Sequence, residues 1–459
     1  MRTVFKVNSI FSFHFSMITD IKKELKKLFI PIFIETLLVM MLGVMDTFML
    51  SQYSDDAVAA AGMDNQVLQI ILLLFTIINA GTSVLCSQYL GAKLNNRLTQ
   101  VVGVALIFNF FVGLVMSLLM TFCARDILSF MGLRPELMVH GEIYMQIVGG
   151  FSIVQAIQTT CSAVLRSVDK AIYPMIVVGI VNVLNIIGNY ALIFGKFGLP
   201  ALGIQGAAIS TSFSRVVAMI ILVVVLMKTT IHKFPLRLFR PFPTRELRNL
   251  LYIGLPSAGE NISYQLQQLT LLYFINWIGN EALTTRTYVC NIVMFVYLFA
   301  ICIANSGAIT IGHLMGRAKV RAAYLMGKYV WHLALIVSVS FSIVCACFGH
   351  QILSMLTTNQ TIIALGCTVF WVDCLLEPGK AINIYATNAL RATGDVHFPL
   401  ILGLIVQWGV GVLFGYIFGI VLGWGLIGMW FAFMLDENIR ALVFVRRWNS
   451  LKWAKHKFV

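Results

Sequence analysis

Residues 31–35 read Pro-Ile-Phe-Ile-Glu and residues 256–260 read Pro-Ser-Ala-Gly-Glu, so a proline and a glutamate recur at one spacing, 225 residues apart. The same offset pairs Ala57 with Ala282, Gly91 with Gly316, Leu165 and Arg166 with Leu390 and Arg391, and Pro174 with Pro399. Near the ends the register slips by three, and Gly203 and Gly206 match Gly425 and Gly428. Seven identities at a single offset mark an internal repeat. The chain therefore reads as two similar halves in tandem.

Each half is apolar to a degree that excludes an ordinary soluble domain. Of the 459 residues, 59% are hydrophobic and 11% charged, where soluble domains carry about 25% charge. Apolar runs bounded by charge, Gly, Pro or Asn predict helices near 28–50, 66–90, 100–124, 139–163, 171–194 and 203–227. The pattern resumes near 251–275, 289–312, 328–348, 361–386, 397–420 and 423–445. Each run has about the 20 residues a helix needs to cross a bilayer. The runs are continuous and do not alternate, which argues against a β-barrel. The expected fold is an all-α integral membrane protein with 12 transmembrane helices in two pseudo-symmetric, parallel six-helix bundles. Its expected parts are a cytoplasmic N-terminal segment 1–27, bundles 28–227 and 251–445 joined by a linker 228–250, and a basic tail 446–459.

The net charge of +14 would raise the question of nucleic acid in a soluble protein. Here topology accounts for it, because basic residues collect in cytoplasmic loops. With both termini placed inside, 26 of the 33 Lys and Arg fall on the cytoplasmic side. Arg125, Arg134, Lys196 and Arg286 fall outside, and Arg215, Lys380 and Arg440 lie within apolar runs. No nucleic-acid partner is expected, and the location is a plasma (inner) membrane. The run from Phe11 to Ile18 is too short to span and no small-residue cleavage site follows, so no signal peptide is expected. Met17, just before the basic stretch ITDIKKELKKL, is an alternative start. The nine cysteines are scattered and the eight histidines never pair at ligand spacing, so no structural metal or cofactor is expected.

Charge at bilayer depth costs roughly 2.5–3.5 kcal/mol at a helix centre, so intramembrane ionisable groups are the functional candidates. Helix 1 carries Glu35 and, nearer its outer end, Asp46. A carboxyl group between helices can trade a proton or sodium ion for a cationic ligand, which makes Asp46 the sharpest candidate. Asn185 and Asn189 lie one turn apart on helix 5, a spacing that serves either a shared ion or helix association. Glu377 and Lys380, three apart around Pro378, read as a local ion pair or a coupling site, with Asp373 a turn earlier. Asp436, Glu437 and Arg440 have self-neutralising spacing. Arg215 has no acid nearby in sequence and needs a partner from another helix. Glu35 and Glu260 are repeat equivalents, which favours a structural or gating role. The 21 methionines and 12% aromatic residues would suit a pliable cavity, although as single residues they pack helices.

These features come with a set of motifs: VMDTFMLSQYSDDAVAAAG at 44–62, SQYLGAK at 87–93, NVLNIIGNYALIFGKFGLPALGIQGAAIST at 182–211, WIGNEAL at 277–283, and NALRATGD at 388–395 with Pro399 beyond it. In order and spacing the chain resembles the multidrug and toxic compound extrusion (MATE) family of secondary transporters. The resemblance covers nearly the whole chain. It implies antiport: organic cations or drugs leave as sodium ions or protons enter, by alternating access of the two bundles. It also implies a cation site at Asp46, Asn185, Asn189 and Thr211. Asn189 stands where some members carry an acid, and Lys380 stands where others carry one on helix 10. Glu35, Glu260, Asp373, Glu377 and Lys380 are secondary coupling or gating candidates. No metal is expected beyond a sodium ion at Asp46.

The expected working unit is a monomer in lipid, with small organic cations as partners. A flippase for a lipid-linked precursor is the nearest alternative, and it would want a cavity rich in Arg and Lys. A membrane enzyme would need a nucleophile and base, or a His and acid cluster, at membrane depth. The sequence offers neither.

Overall fold

The computed structural model describes residues 2–231, 236–455 and 458, with side chains described for 22–231, 237, 239–455 and 458. The side chains of Phe11–Ile18, with Met17, and the linker residues Lys233 and Pro235 lie outside that range. The apolar runs of the sequence fall on helices, except that the run at 139–163 is broken at Gly150–Phe151 between Met138–Gly149 and Ser152–Ser167. In chain order these are α1 (Arg2–Ser51), α2 (Asp55–Gly91), α3 (Asn95–Phe122), α4 (Ser152–Ser167), α5 (Ile172–Ile193), α6 (Ile204–Thr229), α7 (Thr244–Ile278), α8 (Asn280–Gly316), α9 (Val320–Cys347), α10 (Gln360–Thr393), α11 (His397–Val406) and α12 (Gly425–Asn449). Two wide-turn π segments, Gln407–Val412 and Ile417–Val421, carry α11 onward.

Among the described residues, nine helices are long and apolar enough to cross a membrane. A tenth counts if Pro135–Gly149 and α4, bent by 46° at their junction, form one span. The runs expected at 251–275 and 423–445 lie on α7 and α12, which fall outside that set. Both are polar for membrane helices: α7 carries Glu260 and a row of glutamines, and α12 carries Asp436, Glu437 and Arg440. The chain is a multi-pass membrane protein.

The chain forms two compact units, residues 30–254 and, separately, the residues up to Phe29 together with Leu255–Val459. The boundaries at Ile30 and Leu255 are themselves 225 residues apart and directly precede the repeat's prolines. We call these the N-terminal and C-terminal units.

In the N-terminal unit, α2 begins well before the apolar run because Ser54 caps it, accepting a hydrogen bond from the Asp56 amide at 3.2 Å. Asp55 and Asp56 in the first turn suit the positive end of the helix dipole. A core of small and apolar residues around Phe75, Leu128 and Met145 fills the unit. Lipid tails are as apolar as leucine, so close packing and interhelical hydrogen bonds must hold such helices together. Both devices are present. A Cβ at Gly81 would meet the Leu250 carbonyl oxygen at 2.6 Å, so the start of α7 can lie directly on α2. Asn109 donates to Asn79 Oδ1 at 3.0 Å and to Thr160 Oγ1 at 2.7 Å, stitching α2, α3 and α4. Tyr89 donates its phenolic hydrogen to Glu246 at 2.8 Å, which fixes the early turns of α7 within this unit.

In the C-terminal unit, α10 packs against α8, α9 and α12. It ends at Gly394, whose φ of +97° closes the helix in the left-handed region that favours glycine. Its neighbours bury Tyr385, Phe444, Trp448 and Trp453, the last two rings stacked 4.4 Å apart. Leu25 of α1 is buried in the same cluster, and Glu24 pairs with Arg317 at 3.1 Å.

Candidate functional site

In the N-terminal unit, α5 presents Asn182, Asn185 and Asn189 toward α1 and α6. Asn182 donates to the Leu38 carbonyl at 2.8 Å. Asn189 Nδ2 donates to Asp46 Oδ1 at 2.7 Å and to Asn185 Oδ1 at 3.0 Å. Asn185 Nδ2 in turn donates to Thr211 Oγ1 at 3.1 Å, and Ser210 Oγ donates to the Asn185 carbonyl at 3.1 Å. The structure thus joins Asp46, Asn189, Asn185 and Thr211 in one hydrogen-bonded chain across three helices. Asn185 and Asn189 are each about 1% exposed, and the carbonyl oxygen of the Asn189 side chain is buried without a hydrogen-bond partner.

Two properties of this chain matter chemically. Asp46 meets a neutral amide and no ion pair, so its charge remains available. The unpartnered Asn189 oxygen, next to that carboxyl group, is a ready acceptor for a proton or ligand for a cation, because a buried polar atom left unpaired costs free energy. Arg215 lies within electrostatic range of Asp46 but donates its hydrogen bond to Gln155 Oε1, at 2.8 Å. The partner that Arg215 required from another helix is a neutral amide on α4, and no charge pattern in the sequence points to it.

The secondary candidates, apart from Asp373, separate into ion pairs. Glu35 accepts from Arg166 at 2.7 Å, and Glu260 pairs with Arg391. All four residues obey the 225-residue offset, so the two halves contain the same bridge. On α10, Lys380 donates to Glu377 Oε1 at 2.7 Å, and Asp373 accepts from the Trp430 indole at 3.2 Å. On α12, Arg440 bridges Asp436 at 2.8 Å and Glu437 at 2.7 Å. Gln267 adds a bond to Asp436 at 3.0 Å, and Asn383 adds one to Glu437 at 2.6 Å. These residues do not join the Asp46 chain.

The sequence does not single out Asp64. Asp64 on α2 is fully buried, and neither of its carboxyl oxygens has a hydrogen-bond partner. The expected span began at residue 66 and left Asp64 in a loop. The signal that would have found it is the Ser54 cap with the acids behind it, which starts the helix eleven residues earlier than the apolar run. Among the described residues, no group of three His, Cys, Asp or Glu side chains stands ready to hold a metal ion.

Known proteins share sequence and fold with this chain. The family model described as MatE matches residues 31–191 and 256–417, so its two matches start at the two repeat prolines. A Bacillus subtilis protein described as "Uncharacterized transporter YisQ" is 41% identical over 92% of this chain and 93% of its own. A Thermotoga maritima protein described as "Probable multidrug resistance protein NorM" is 27% identical over 95% of this chain and 94% of its own. Among solved structures, the crystal structure of MATE in the bent conformation superposes with a TM-score of 0.86 at 20% identity, covering 94% of this chain and 96% of that one. An outward-facing multidrug resistance MATE family transporter of the MOP superfamily superposes with a TM-score of 0.84 at 21% identity, covering 94% and 97%.

Proposed function

The chain belongs to the MatE family of membrane transporters, and from that premise we propose that it is a secondary antiporter. It exports organic cations or drugs in exchange for sodium ions or protons, by alternating access of two six-helix bundles that together cross the membrane twelve times. Asp46 is the coupling carboxylate, with Asn189, Asn185 and Thr211 as its supporting ligands. The observation that supports this most strongly is the chain Asp46–Asn189–Asn185–Thr211 with its buried, unpartnered Asn189 oxygen. Both termini lie in the cytoplasm, the membrane is the plasma membrane, and one chain suffices for transport.

The chemistry follows from charge. With Asp46 ionised, the site carries a negative charge stabilised by one amide donor, and it attracts either coupling ion. A proton on Asp46 removes the charge and turns the group into a donor. The Asn189 amide can then rotate and offer its free oxygen as acceptor. A sodium ion would draw on oxygens of Asp46, Asn189, Asn185 and Thr211, again with the Asn189 amide hydrogens turned aside. Either event rearranges bonds between α1, α5 and α6, and so biases which conformation the bundle prefers. Each uncompensated charge entering a negative-inside cell supplies about 2.3 kcal/mol per 100 mV. That amounts to an almost 50-fold concentration ratio, at about 1.4 kcal/mol per tenfold.

The flippase alternative has less support. A lipid-linked precursor calls for a cavity dense in free cations, whereas Arg166, Arg391, Lys380 and Arg440 are each paired with an acid, and among the described residues Arg215, bonded to Gln155, and Arg286 are without one. The test is efflux of a fluorescent cation from energised vesicles under sodium and proton gradients imposed separately. One gradient drives efflux in the native protein, and Asp46→Asn abolishes it at unchanged expression. Undiminished efflux by Asp46→Asn refutes the assignment.

A further inference from the structure

Asp64 is a buried acid that exchange at Asp46 leaves unexplained. Neither of its carboxyl oxygens has a hydrogen-bond partner, although the residue is 0% exposed. Its nearest wall is hydrocarbon. A Cβ at Gly141 would lie 2.8 Å from Leu133 Cδ2, 3.1 Å from Leu128 Cδ1 and 3.7 Å from Asp64 Oδ1, so the acid and two leucine methyl groups meet over a bare glycine. Among the titratable and charged groups on the elements packed against α2, Tyr144 of the Met138–Tyr144 helix is within electrostatic range of Asp64. Glu136, His140 and Glu142 on the same stretch, Arg97 on α3 and Arg166 on α4 make no hydrogen bond to it.

Its position is as informative as its surroundings. Asp64 lies nine residues into α2, roughly 14 Å along it, and Asp46 lies five residues before the end of α1, roughly 8 Å from it. The turn 52–54 joins those two helix ends, so both acids lie toward the same end of the N-terminal unit. Tyr144 is within electrostatic range of Asp46 and Arg215 as well. A surface loop reaches the same place. Gly132, exposed and at φ +78°, turns the chain after the Ala124–Phe130 helix, and the Leu133 amide bonds back to the Leu128 carbonyl at 3.0 Å. This return buries Leu133 between exposed Gly132 and Arg134, against the glycine that the acid also approaches.

An ionised carboxylate without donor or counter-charge is the costliest occupant of such a place. Leucine methyl groups offer a metal ion no oxygens, so the ligand this wall admits is a proton. The neutral acid is still unsatisfied here, because its hydroxyl finds no acceptor. An apolar side chain would fill the space at lower cost. The unmet hydrogen bond therefore points to a second conformation, in which the acid meets water or a partner and gives the proton up.

We propose that Asp64 is a proton-binding site in its own right, loaded past the Leu133 loop and emptied when the unit changes conformation, so that each cycle carries a proton besides the ion exchanged at Asp46. The Asp64 carboxylate takes the proton from water on one side, becomes the neutral acid, and returns the same proton to water on the other. The inference rests on the exporter reading and deepens it, by naming a second acid and the ion it carries.

The experiment uses the full-length protein in lipid vesicles. At about pH 7, well above the ordinary carboxylate range, its infrared spectrum retains the carbonyl stretch of a protonated carboxylic acid free of hydrogen bonds. Asp64→Asn loses this band and Asp46→Asn keeps it. In the same vesicles, efflux of the fluorescent cation ethidium responds to an imposed pH gradient, and Asp64→Asn loses that response. Asp64→Val loses it too, yet unfolds at a higher temperature than the native protein, whereas removing an acid that merely supports the fold lowers the midpoint. A native spectrum without the band, a band that survives Asp64→Asn, a lowered midpoint in Asp64→Val, a native-sized pH response in either variant, or native efflux that follows a sodium gradient alone overturns the site. Failure of the exporter reading looks different: ethidium then crosses under no gradient in the native protein, while the band, its loss in Asp64→Asn and the raised midpoint of Asp64→Val still assign the proton to Asp64.

Discussion

The two units contain the same bridge and different centres. Glu35–Arg166 in one and Glu260–Arg391 in the other are the same interaction written twice, at one repeat offset. Beyond that bridge the chemistry diverges. In the N-terminal unit the acid on the hydrogen-bonded chain, Asp46, accepts from the Asn189 amide, and the chain runs on through Asn185 to the Thr211 hydroxyl. In the C-terminal unit Glu377, Asp436 and Glu437 are held by Lys380 and Arg440 on their own helices. A carboxylate already paired has little charge left to offer an entering cation, and one held by an amide keeps it. The duplication thus supplied two scaffolds whose described acids differ: Asp46 bonds a neutral amide and Asp373 an indole, while Glu377, Asp436 and Glu437 are ion-paired.

The comparison is broken most severely at Arg440. Arg440→Leu leaves Asp436 and Glu437, both nearly fully buried, without their cation. Removing one partner of such a pair costs about 3–5 kcal/mol, and thermal unfolding in detergent will show a large fall in midpoint. The repeat-equivalent bridges come next. Arg391 is 13% exposed and Arg166 is 33% exposed, so Arg391→Leu lowers the midpoint more than Arg166→Leu does. A larger effect at Arg166 would mean that the bridges do not play equivalent parts. The smallest effect is sharpening: Asn189→Leu removes the amide bond to Asp46 without touching a charge. Under a sodium gradient, loss of the Asn189 oxygen raises the sodium concentration for half-maximal efflux about tenfold, the equivalent of one hydrogen bond to a charged group. An unchanged ion dependence would detach Asn189 from the site.

Much of the fold was legible because its causes are local. Apolar runs between charges predicted the helices, and Pro31 and Pro256 pointed to the repeat positions beside which the compact units divide. Helix ends were less legible. A run such as 66–90 records only the apolar part of α2, which begins at Asp55 through a serine cap that hydropathy does not register. This shortfall hid Asp64. The polarity of α7 and α12 had the opposite effect, since Gln267 bonds Asp436 and Arg440 pairs with Asp436 and Glu437 inside the unit.

At the candidate site, the one-turn spacing of Asn185 and Asn189 put two amides on one face, and the acid opposite them could be named from its cost in a bilayer. Thr211 entered only through the family resemblance, because a threonine in an apolar helix carries no signal of its own. Gln155 as the partner of Arg215 depends on which helices meet. Arg286 itself read as a residue of an outer loop, but it belongs to α8 and lines a cavity.

The central claim is that coupling charge resides at Asp46 and not among the acids of the C-terminal unit. It is tested most directly by reconstituting Asp46→Asn beside an Asp373→Asn, Glu377→Gln double variant in vesicles, and measuring movement of a fluorescent cation under whichever imposed gradient drives the native protein. The account predicts that Asp46→Asn loses gradient-driven transport while the double variant still responds to the gradient. A double variant that no longer responds, beside an Asp46→Asn protein that transports at the native rate, would contradict it.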